Sequence, residues 1–220
     1  ASSDSNAVSV TDFAPYTPSY EDPAAFLASQ IVEEGDVTGV LIFQVPVDKL
    51  NSVMSNNRQW TEVGLGNTGE SYLVGPDKKM RSLSRQVIDA PSSLSEKLIA
   101  TGTTASDLEV ILAKETSIGL LTVDTPATRA LLSGESGIAN INSYYGEPVI
   151  SAYAPLNIKG LNWGIVAEIS EAEAVADAKS LTESILQLAG LTIVALGIVA
   201  VVAGRYFAGR LSLPLVEASQ

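Results

Sequence analysis

Two apolar runs near the start of the chain flank a turn, and this pattern predicts a β-hairpin. The runs are AAFLASQIV, residues 24–32, and TGVLIFQV, residues 38–45, and the turn is EEGD. Residues 1–22 are rich in Ser, Pro, Tyr and Asp, which predicts loop or irregular edge structure. After the hairpin, apolar residues recur at helical spacing and predict a helix: Val47, Leu50, Val53 and Met54.

The central part of the chain mixes strand and helix patterns. Short apolar or branched runs predict strands at ESYLVG (70–75), MRSLSR (80–85) and IGLLTV (118–123). Residues 91–114 have leucines and isoleucines at helical spacing and are predicted to form a helix. The order up to this point is a helix, two short strands and then helical structure.

A short helix and a three-strand meander follow. Asp124 or Thr125 can cap the helix, Pro126 suits its first turn and Gly134 can end it. The runs GIANI, EPVISAYAPL and LNWGIVAEI then predict three strands, joined by turns at NSYYG and NIKG. We expect an α+β fold in which helices flank an antiparallel sheet.

The stretch SILQLAGLTIVALGIVAVVAG, residues 184–204, has no charged residue and is long enough to cross a bilayer core. A buried helix of a soluble protein is the alternative. Acidic residues precede the stretch and basic residues follow it: Glu171, Glu173, Asp177 and Glu183 before, Arg205 and Arg210 after. Basic residues favour the cytoplasmic side. We therefore expect residues 1–183 outside the cytoplasm, a bacterial inner-membrane helix and a cytoplasmic C-terminus.

The helix that enters this span is predicted to begin near Glu171. Ser170 is followed three residues later by Glu173, which is the spacing of a capping box. No helix-breaking residue lies between this position and the span. One continuous helix from Glu171 through the membrane is therefore expected.

Small residues recur along the span. Gly190, Gly197 and Gly204 repeat every seven residues, and Ala200, Gly204 and Ala208 form a small-xxx-small series. Small residues on one face let two membrane helices approach closely. This face predicts a homodimer or packing within a larger membrane complex, and the ordinary glycine and alanine content of membrane helices is the alternative.

The composition excludes several kinds of chemistry. The chain has no histidine and no cysteine, so a Ser-His-Asp triad, a histidine base and thiolate chemistry are impossible. A net charge of −12 argues against nucleic-acid binding. The acidic pairs Glu33–Glu34 and Glu171–Glu173 lack the spacing of a calcium loop. We expect no enzymatic activity, no catalytic residue, no metal site and no cofactor in this segment.

Gly64, Gly66 and Gly69 match the G-x-G-x-x-G spacing of dinucleotide-binding loops. In such a loop a buried strand precedes the glycines and a helix follows them. Here the polar segment NNRQWTEV precedes them and the strand pattern ESYLVG follows. The order is reversed, so these glycines are predicted to supply positive φ angles in a turn that leads into a strand.

The segment GLGNTGESYLVGPDKKMRSLSR, residues 64–85, resembles the membrane-proximal half of double Cache (dCache, PAS-like) sensor domains, in which a G-x-T-G-E-x-Y-L-V turn and strand precede an MRS strand. The matching positions are Gly66, Thr68, Gly69, Glu70, Tyr72, Leu73, Val74, Met80, Arg81 and Ser82. The segment YYGEPVISAYAPLNIKGLNWGIVAEISEAEA resembles the family's last strands and exit helix. The segments TDFAPYTPSYEDPAAFLASQIV and TGVLIFQVPVDKLN resemble the end of the membrane-distal half.

After the span, GRYFAGRLSLPLVEA resembles the start of a HAMP linker, with Leu211, Pro214 and Leu215 at the matching positions. The resemblance implies a PAS/Cache-like antiparallel sheet flanked by helices, plus one C-terminal transmembrane helix. It also implies five segments: the end of a distal Cache subdomain at 1–46, a proximal subdomain at 47–170, a juxtamembrane helix at 171–183, the transmembrane helix at 184–204 and the HAMP-like start at 205–220.

The resemblance implies an extracytoplasmic sensor that passes the binding of an amino acid, organic acid or amine through the membrane helix. Arg81 and Arg85 suit a carboxylate ligand, and aromatic residues can line an apolar wall. The candidate ligand-binding residues are Tyr72, Arg81, Ser82, Ser84, Arg85, Tyr153 and Trp163. In the alternative interpretation, the arginines lie on a solvated edge and the aromatics fill the core.

Chains of this layout resemble chemoreceptors, sensor kinases and nucleotidyl cyclases. A single-span accessory or structural subunit of a larger membrane complex is the second functional hypothesis. The N-terminal segment ASSDSNAVSVTDF has neither the basic nor the apolar region of a signal peptide. An export signal or an earlier membrane helix is therefore expected upstream.

Overall fold

The computed structural model describes the backbone of residues 8–217 and omits the side chains of residues 177–184, 195, 199 and 207–217. The chain divides into two compact units, Ala1–Ala174 and Val175–Gln220. The first unit contains two antiparallel sheets and several short helices, and the second is helical. The first unit is an α+β fold, as the sequence predicts.

The first sheet has three strands, β1 (Val8–Tyr16), β2 (Asp22–Glu33) and β3 (Asp36–Gln44), in the order β1-β2-β3. The predicted hairpin is confirmed as β2 and β3. Of the loop or irregular edge structure predicted over residues 1–22, the structure forms the second, because β1 is an edge strand that pairs with β2 along most of its length. A register shift between Thr11 and Ala14 interrupts this pairing and accommodates a polar segment that lacks the alternation of an ordinary strand.

Strand β3 is the free edge of this sheet, and its apolar side chains are exposed on both faces. Consecutive residues of a strand point to opposite faces of the sheet, yet in β3 the apolar side chains on both faces are exposed to solvent. The exposed residues are Val37, Val40, Leu41, Ile42 and Phe43. A run of exposed apolar residues on a free strand edge is typical of a surface that another element covers.

The second sheet has four antiparallel strands in the order β4-β7-β6-β5. They are β4 (Glu70–Val74), β5 (Gly137–Asn142), β6 (Pro148–Pro155) and β7 (Gly164–Ser170). Both the strand after Gly69 and the three-strand meander are therefore confirmed. Helix α1 (Val47–Ser55), also predicted, precedes this sheet.

Four short helices connect β4 to β5: α2 (Arg85–Asp89), α3 (Pro91–Ala100), α4 (Ala105–Ala113) and α5 (Pro126–Leu132). The predicted caps of α5 are confirmed, because the Thr125 side chain accepts the Thr128 N–H and Gly134 has a φ of +94°. The helical structure predicted over 91–114 is confirmed and consists of two helices, because Thr104 caps a new helix start.

The strands predicted at 80–85 and 118–123 are not formed. Each segment contributes only an isolated bridge, Val74 with Met80 and Lys79 with Thr122. Ser84 then caps α2, because its hydroxyl accepts the N–H groups of Gln86 and Val87. The apolar character of the two segments predicted strands. The segments instead form turns, and their apolar side chains pack into the core.

Two apolar clusters hold the first unit together. The larger lies between the second sheet and its helices, where Tyr72 and Val166 pack with Leu98, Ile111 and Leu131. The smaller brings residues of the first sheet against the second sheet. Its buried members are Phe13, Ala25, Leu73, Ile118 and Trp163.

The last strand leads into α6 (Glu171–Ala174), and α7 (Ala176–Glu217) follows. The prediction of one helix from Glu171 onward is wrong at Val175, where the helical assignment is interrupted. Among the described residues, one helix is long and apolar enough to cross a membrane by length and composition, Ile185–Tyr206, with a mean hydropathy of 2.5.

The predicted packing residues Gly190, Gly197, Ala200 and Gly204 all lie on α7. Leu211, Pro214 and Leu215 are also within this helix, and their side chains are not described. The last three residues of the HAMP-like segment and the first seven residues of the chain lie outside the described residues. The helix-packing face, the HAMP start and the five-segment division remain predictions.

Candidate functional site

The seven predicted ligand-binding residues do not converge on one site. Arg81 is buried in a bidentate ion pair with Asp12, with Nε–Oδ1 and Nη2–Oδ2 distances of 2.8 and 2.9 Å. Its Nη2 also lies 2.9 Å from Asp77 Oδ1. The guanidinium is therefore occupied, and a ligand carboxylate must displace one of these aspartates to reach it.

Trp163 belongs to the same ion-pair network as Arg81. Its Nε1–H donates to Asp12 Oδ1 at 2.9 Å, and its ring stacks on Phe13 at 5.8 Å. Burial raises the pKa of Asp12, but the hydrogen bonds and charge of Arg81 outweigh it and hold that pKa below its usual value. Ser82, also buried, accepts the Leu73 N–H at 2.9 Å. These contacts join β1 to the second sheet.

Arg85 holds the glycine loop, residues 64–69. Its Nη1 donates to the carbonyls of Gly66 and Gly69 at 3.1 and 2.6 Å. The guanidinium lies 4.7 Å from the ring centre of Trp60, and Nε donates to Asp89 at 3.0 Å. Arg85 thus fixes a loop rather than presenting a free charge.

The glycine loop needs its glycines for two different reasons. Gly64 and Gly66 have φ angles of +83° and +58°, which confirms the predicted turn role for these two positions. Gly69 has no positive φ, but a Cβ there would lie 2.2 Å from the Leu65 carbonyl oxygen and 3.0 Å from that of Glu168. A 3-10 helix precedes the loop and β4 follows it, which is the reverse of a dinucleotide-binding unit.

The loop wraps the carboxylate of Glu173 in the exit helix α6. The backbone N–H groups of Asn67 and Thr68 donate to it at 2.7 and 2.8 Å, and the Thr68 hydroxyl and the Asn67 amide add two further bonds. The Thr68 hydroxyl is the main cause that lowers the pKa of Glu173 to about 2. A Cβ on Gly66 would lie 2.6 Å from Glu173 Oε1, so the wrapping requires glycine there.

The predicted capping box at Ser170 and Glu173 is not formed. The Ser170 N–H donates to the Thr68 hydroxyl at 3.1 Å, while Glu173 binds the glycine loop. The two residues have the spacing of a capping box, but the hydrogen-bond partners of both lie about a hundred residues earlier in the chain. We call this set of contacts between Asn67, Thr68, Ser170 and Glu173 the exit clamp.

We expect Glu173→Ala to open the exit clamp. The amides of Asn67 and Thr68 lose their acceptor, so their hydrogen exchange should accelerate about tenfold or more, because hydrogen bonds to charged acceptors are the stronger class. Hydrogen–deuterium exchange of the full chain measures this directly. Glu171→Ala is the matched control in the same helix. Equal protection in both variants would mean that the clamp does not hold the loop.

A buried acidic cluster lies on the inner face of the second sheet. Glu70, only 1% exposed, accepts hydrogen bonds from Tyr144 Oη at 2.7 Å, from Ser84 Oγ at 3.1 Å and from the Arg85 N–H at 2.9 Å. The rings of Tyr72 and Tyr144 meet edge to face at 5.8 Å. The predicted residues Tyr72 and Ser84 are therefore brought together, around an acid that the prediction omitted.

Glu168 is the second acid of this cluster and the direct cross-strand partner of Glu70. Both of its oxygens, the Tyr72 hydroxyl and the Ser151 hydroxyl are buried without a hydrogen-bond partner of normal geometry. Burial, and then the charge of Glu70, raise the pKa of Glu168 to about 7, against smaller opposing effects of the Tyr72 and Ser151 hydroxyls. The strand alternation that points Tyr72 inward also points Glu70 inward, and this signal was available in the sequence.

A groove of about 830 Å³ opens at the β5 edge of the second sheet, beside the first residues of α4 and α5. Tyr144 is one of its lining residues and is also the hydrogen-bond donor to Glu70. The other lining residues are polar for the most part and include Thr103, Thr104, Asp107, Thr122, Asn140 and Asn142. Tyr153 is half-buried near Gly137 and is not part of this groove.

No family model and no curated protein sequence matches the chain. It is similar to the ligand-binding domain of the Pseudomonas aeruginosa PAO1 amino acid chemoreceptor PctB in complex with L-Arg, with 14% identity, a TM-score of 0.45, and coverage of 77% of this chain and 56% of that one. The corresponding domain of Pseudomonas fluorescens CtaA in complex with L-leucine has 14% identity, a TM-score of 0.42 and coverage of 78% and 56%.

The extracellular domain of mmHK1S-Z3, assigned to a histidine kinase, has 19% identity, a TM-score of 0.45 and coverage of 79% of this chain and 53% of that one. The chain spans about half the length of these structures. Two of the three are ligand-binding domains of chemoreceptors and the third is the extracellular domain of a histidine kinase, and their likeness to this chain is one of fold alone.

Proposed function

We propose that the chain is the ligand-sensing, extracytoplasmic part of a bacterial transmembrane receptor of the double Cache type. One observation carries the proposal: a polar groove is connected by hydrogen bonds to the segment that leads into the apolar helix. The resemblance of residues 64–85 to the membrane-proximal Cache half supports the same function.

The connection runs through three hydrogen bonds and the backbone between Thr68 and Glu70. Tyr144 lines the groove and donates to Glu70 at 2.7 Å. Glu70 directly follows Gly69, the last residue of the glycine loop, and the loop binds Glu173 through the Asn67 and Thr68 amides. A ligand that moves Tyr144 thereby acts on the exit clamp. Such coupling requires that ligand binding favours one of two arrangements of these contacts.

The membrane arrangement is part of the proposal. The apolar helix Ile185–Tyr206 would cross the bacterial inner membrane, with the sheet unit outside and the basic residues Arg205 and Arg210 inside. The helix would dimerise through Gly190, Gly197, Ala200 and Gly204 and continue into a HAMP linker. A receptor of this kind passes a small helix shift through a two-state dimer.

The exposed strand β3 supports the proposed division of the first unit. Its apolar residues are open on both faces, as expected if residues 1–46 end a larger distal subdomain that covers them. The same surface favours the second candidate function, an accessory subunit of a larger membrane complex in which another protein covers β3. The subunit hypothesis predicts that no small molecule binds the groove.

The polar lining of the groove suits a small polar ligand. Hydroxyl and amide groups can bind a carboxylate or an ammonium group, and Asp107 adds a negative charge for an amine. We therefore propose an amino acid, an organic acid or an amine as the ligand. No cofactor, metal or nucleic acid is needed for this function.

The test is calorimetric titration of the full chain in nanodiscs with individual L-amino acids, dicarboxylic acids and polyamines. At least one probe is expected to bind and raise the melting temperature, and Asn142→Trp, which fills the groove, should weaken that binding at least about tenfold. Ile138→Trp, on the same exposed side of β5 but outside the groove, is the matched control. Binding that survives Asn142→Trp would remove the groove from the site, and the absence of binding by every probe would favour the accessory subunit.

A further inference from the structure

Two carboxylates face each other in the interior of the second sheet. Glu70 on β4 and Glu168 on β7 are directly paired across the strands, so their side chains leave the same face. They are 1% and 3% exposed. Among the described residues, no lysine or arginine forms an ion pair with either one. When two carboxylates are paired across neighbouring strands in a buried site, their repulsion favours a proton or a cation between them.

The two acids differ in their hydrogen bonds. Glu70 accepts from Tyr144, Ser84 and the Arg85 backbone N–H, and these donors stabilise a carboxylate. Both oxygens of Glu168 lack a hydrogen-bond partner of normal geometry. Burial raises the pKa of both acids, and this difference in hydrogen bonding favours Glu168 as the site of a shared proton.

Apart from Glu70, the groups that surround Glu168 stay neutral near pH 7 or point away from it. Tyr72 faces it from β4 and Tyr145 from the β5–β6 turn, and burial followed by the glutamate charges raises the pKa of both phenols, so both stay neutral. Burial and then the charge of Glu70 also raise the pKa of Tyr144, so this phenol stays neutral too. Ser151 faces it from β6 and does not ionise. The Arg85 side chain is turned to the glycine loop, and that of Lys97 lies over the Tyr145 ring and pairs with Glu147.

This acid pair is adjacent to the exit clamp on both strands. Gly69 immediately precedes Glu70, and a Cβ at Gly69 would lie 3.0 Å from the Glu168 carbonyl oxygen. Two residues after Glu168, the Ser170 N–H donates to Thr68, which also binds Glu173. Separation of the two carboxylates therefore displaces the backbone that forms the clamp.

We propose that the Glu70–Glu168 pair is a proton sensor that sets the strength of the exit clamp. When the external pH rises, the pair loses its proton, the two carboxylates repel each other, and the glycine loop releases Glu173. The inference rests on the proposed function in that Glu173 precedes the membrane helix. It adds the external proton as a second input beside a small-molecule ligand.

The test uses a spin label on α6. The chain has no cysteine, so Ala172→Cys provides a unique attachment site on the exposed surface beside the clamp. Electron paramagnetic resonance of the full chain in nanodiscs should show label mobility that rises with pH, with a midpoint of about 7. Glu168→Gln, which mimics the protonated acid, should keep the low-pH spectrum throughout. Glu109→Gln, an exposed acid on α4, should behave as the parent chain.

Infrared spectroscopy of the Ala172→Cys chain provides a second measurement that does not depend on Glu168→Gln folding. A protonated carboxyl band should disappear over the same pH range as the change in mobility. A pH transition that persists in folded Glu168→Gln, a band that never appears, or a band that titrates without a change in mobility would each overturn the proposal. A failed ligand screen with an intact pH transition would instead contradict only the small-molecule function.

Discussion

Replacing Arg81 with alanine is expected to lower the free energy of unfolding of the sheet unit by about 3 kcal/mol, because it leaves the partly buried carboxylate of Asp12 without its cation. The Arg81 side chain is 4% exposed and the Asp12 side chain is 29% exposed, so solvent screens this pair only in part. The loss should also loosen β1, which carries Asp12. Urea unfolding of the full chain, followed by the fluorescence of Trp163 beside Asp12, measures the effect.

Arg129→Ala is the matched control for this substitution. Arg129 pairs with Asp124 at 2.7 Å, but the two side chains are 55% and 47% exposed, so its loss should change stability by less than about 0.5 kcal/mol. Arg81→Lys should fall between the two, because a lysine cannot make the bidentate pair. If Arg81→Ala proves no more destabilising than Arg129→Ala, Arg81 is not a structural anchor, and its earlier assignment to a ligand site regains support.

The stability of the sheet unit is expected to fall by up to about 3 kcal/mol as the pH rises from about 4.5 to about 7. The folded chain raises the pKa of Glu168 from its ordinary 4.5 to about 7, mainly by burial. Below the ordinary value both the folded and the unfolded chain are protonated at this residue. Above it the unfolded chain ionises first, so stability is lost until the folded chain ionises as well, and it then levels off.

Glu168→Gln should remove the part of this slope that Glu168 contributes, and Glu109→Gln should retain the whole slope. Burial also raises the pKa of Glu70, so a contribution of the same sign from Glu70 remains. The pKa of Glu173 is lowered to about 2, and that of Asp12 lies below its usual value. The stability that these two carboxylates contribute is lost in acid, at lower pH than the effect of Glu168. Chemical unfolding at a series of pH values separates the two effects. A slope that is the same in Glu168→Gln and in the parent chain would show that Glu168 is already ionised in the folded protein.

Local patterns along the sequence determined many of the elements. The β2–β3 hairpin, α1, the caps of α5, the β5–β7 meander and the apolar helix were all predicted, because periodicity, caps and turns depend on neighbouring residues. Strand β1 was predicted only as loop or irregular edge structure, and the packed turns at 80–85 and 118–123 were predicted as strands. Their conformations depend on strand pairing and burial supplied by distant parts of the chain.

The candidate site shows the same division at the level of single side chains. The sequence by itself singled out the glycine loop, Tyr72, Arg81, Ser84 and Arg85 as unusual. Only the tertiary structure decided their partners, since Arg81 meets Asp12 from 69 positions away, Glu70 meets Tyr144 from 74 and Asn67 meets Glu173 from 106. Hydrogen bonds and ion pairs act over about 3 Å in space whatever the separation along the chain. The fold therefore holds an expected ligand arginine in an ion pair with Asp12 and brings together the two inward-facing glutamates of the proposed sensor.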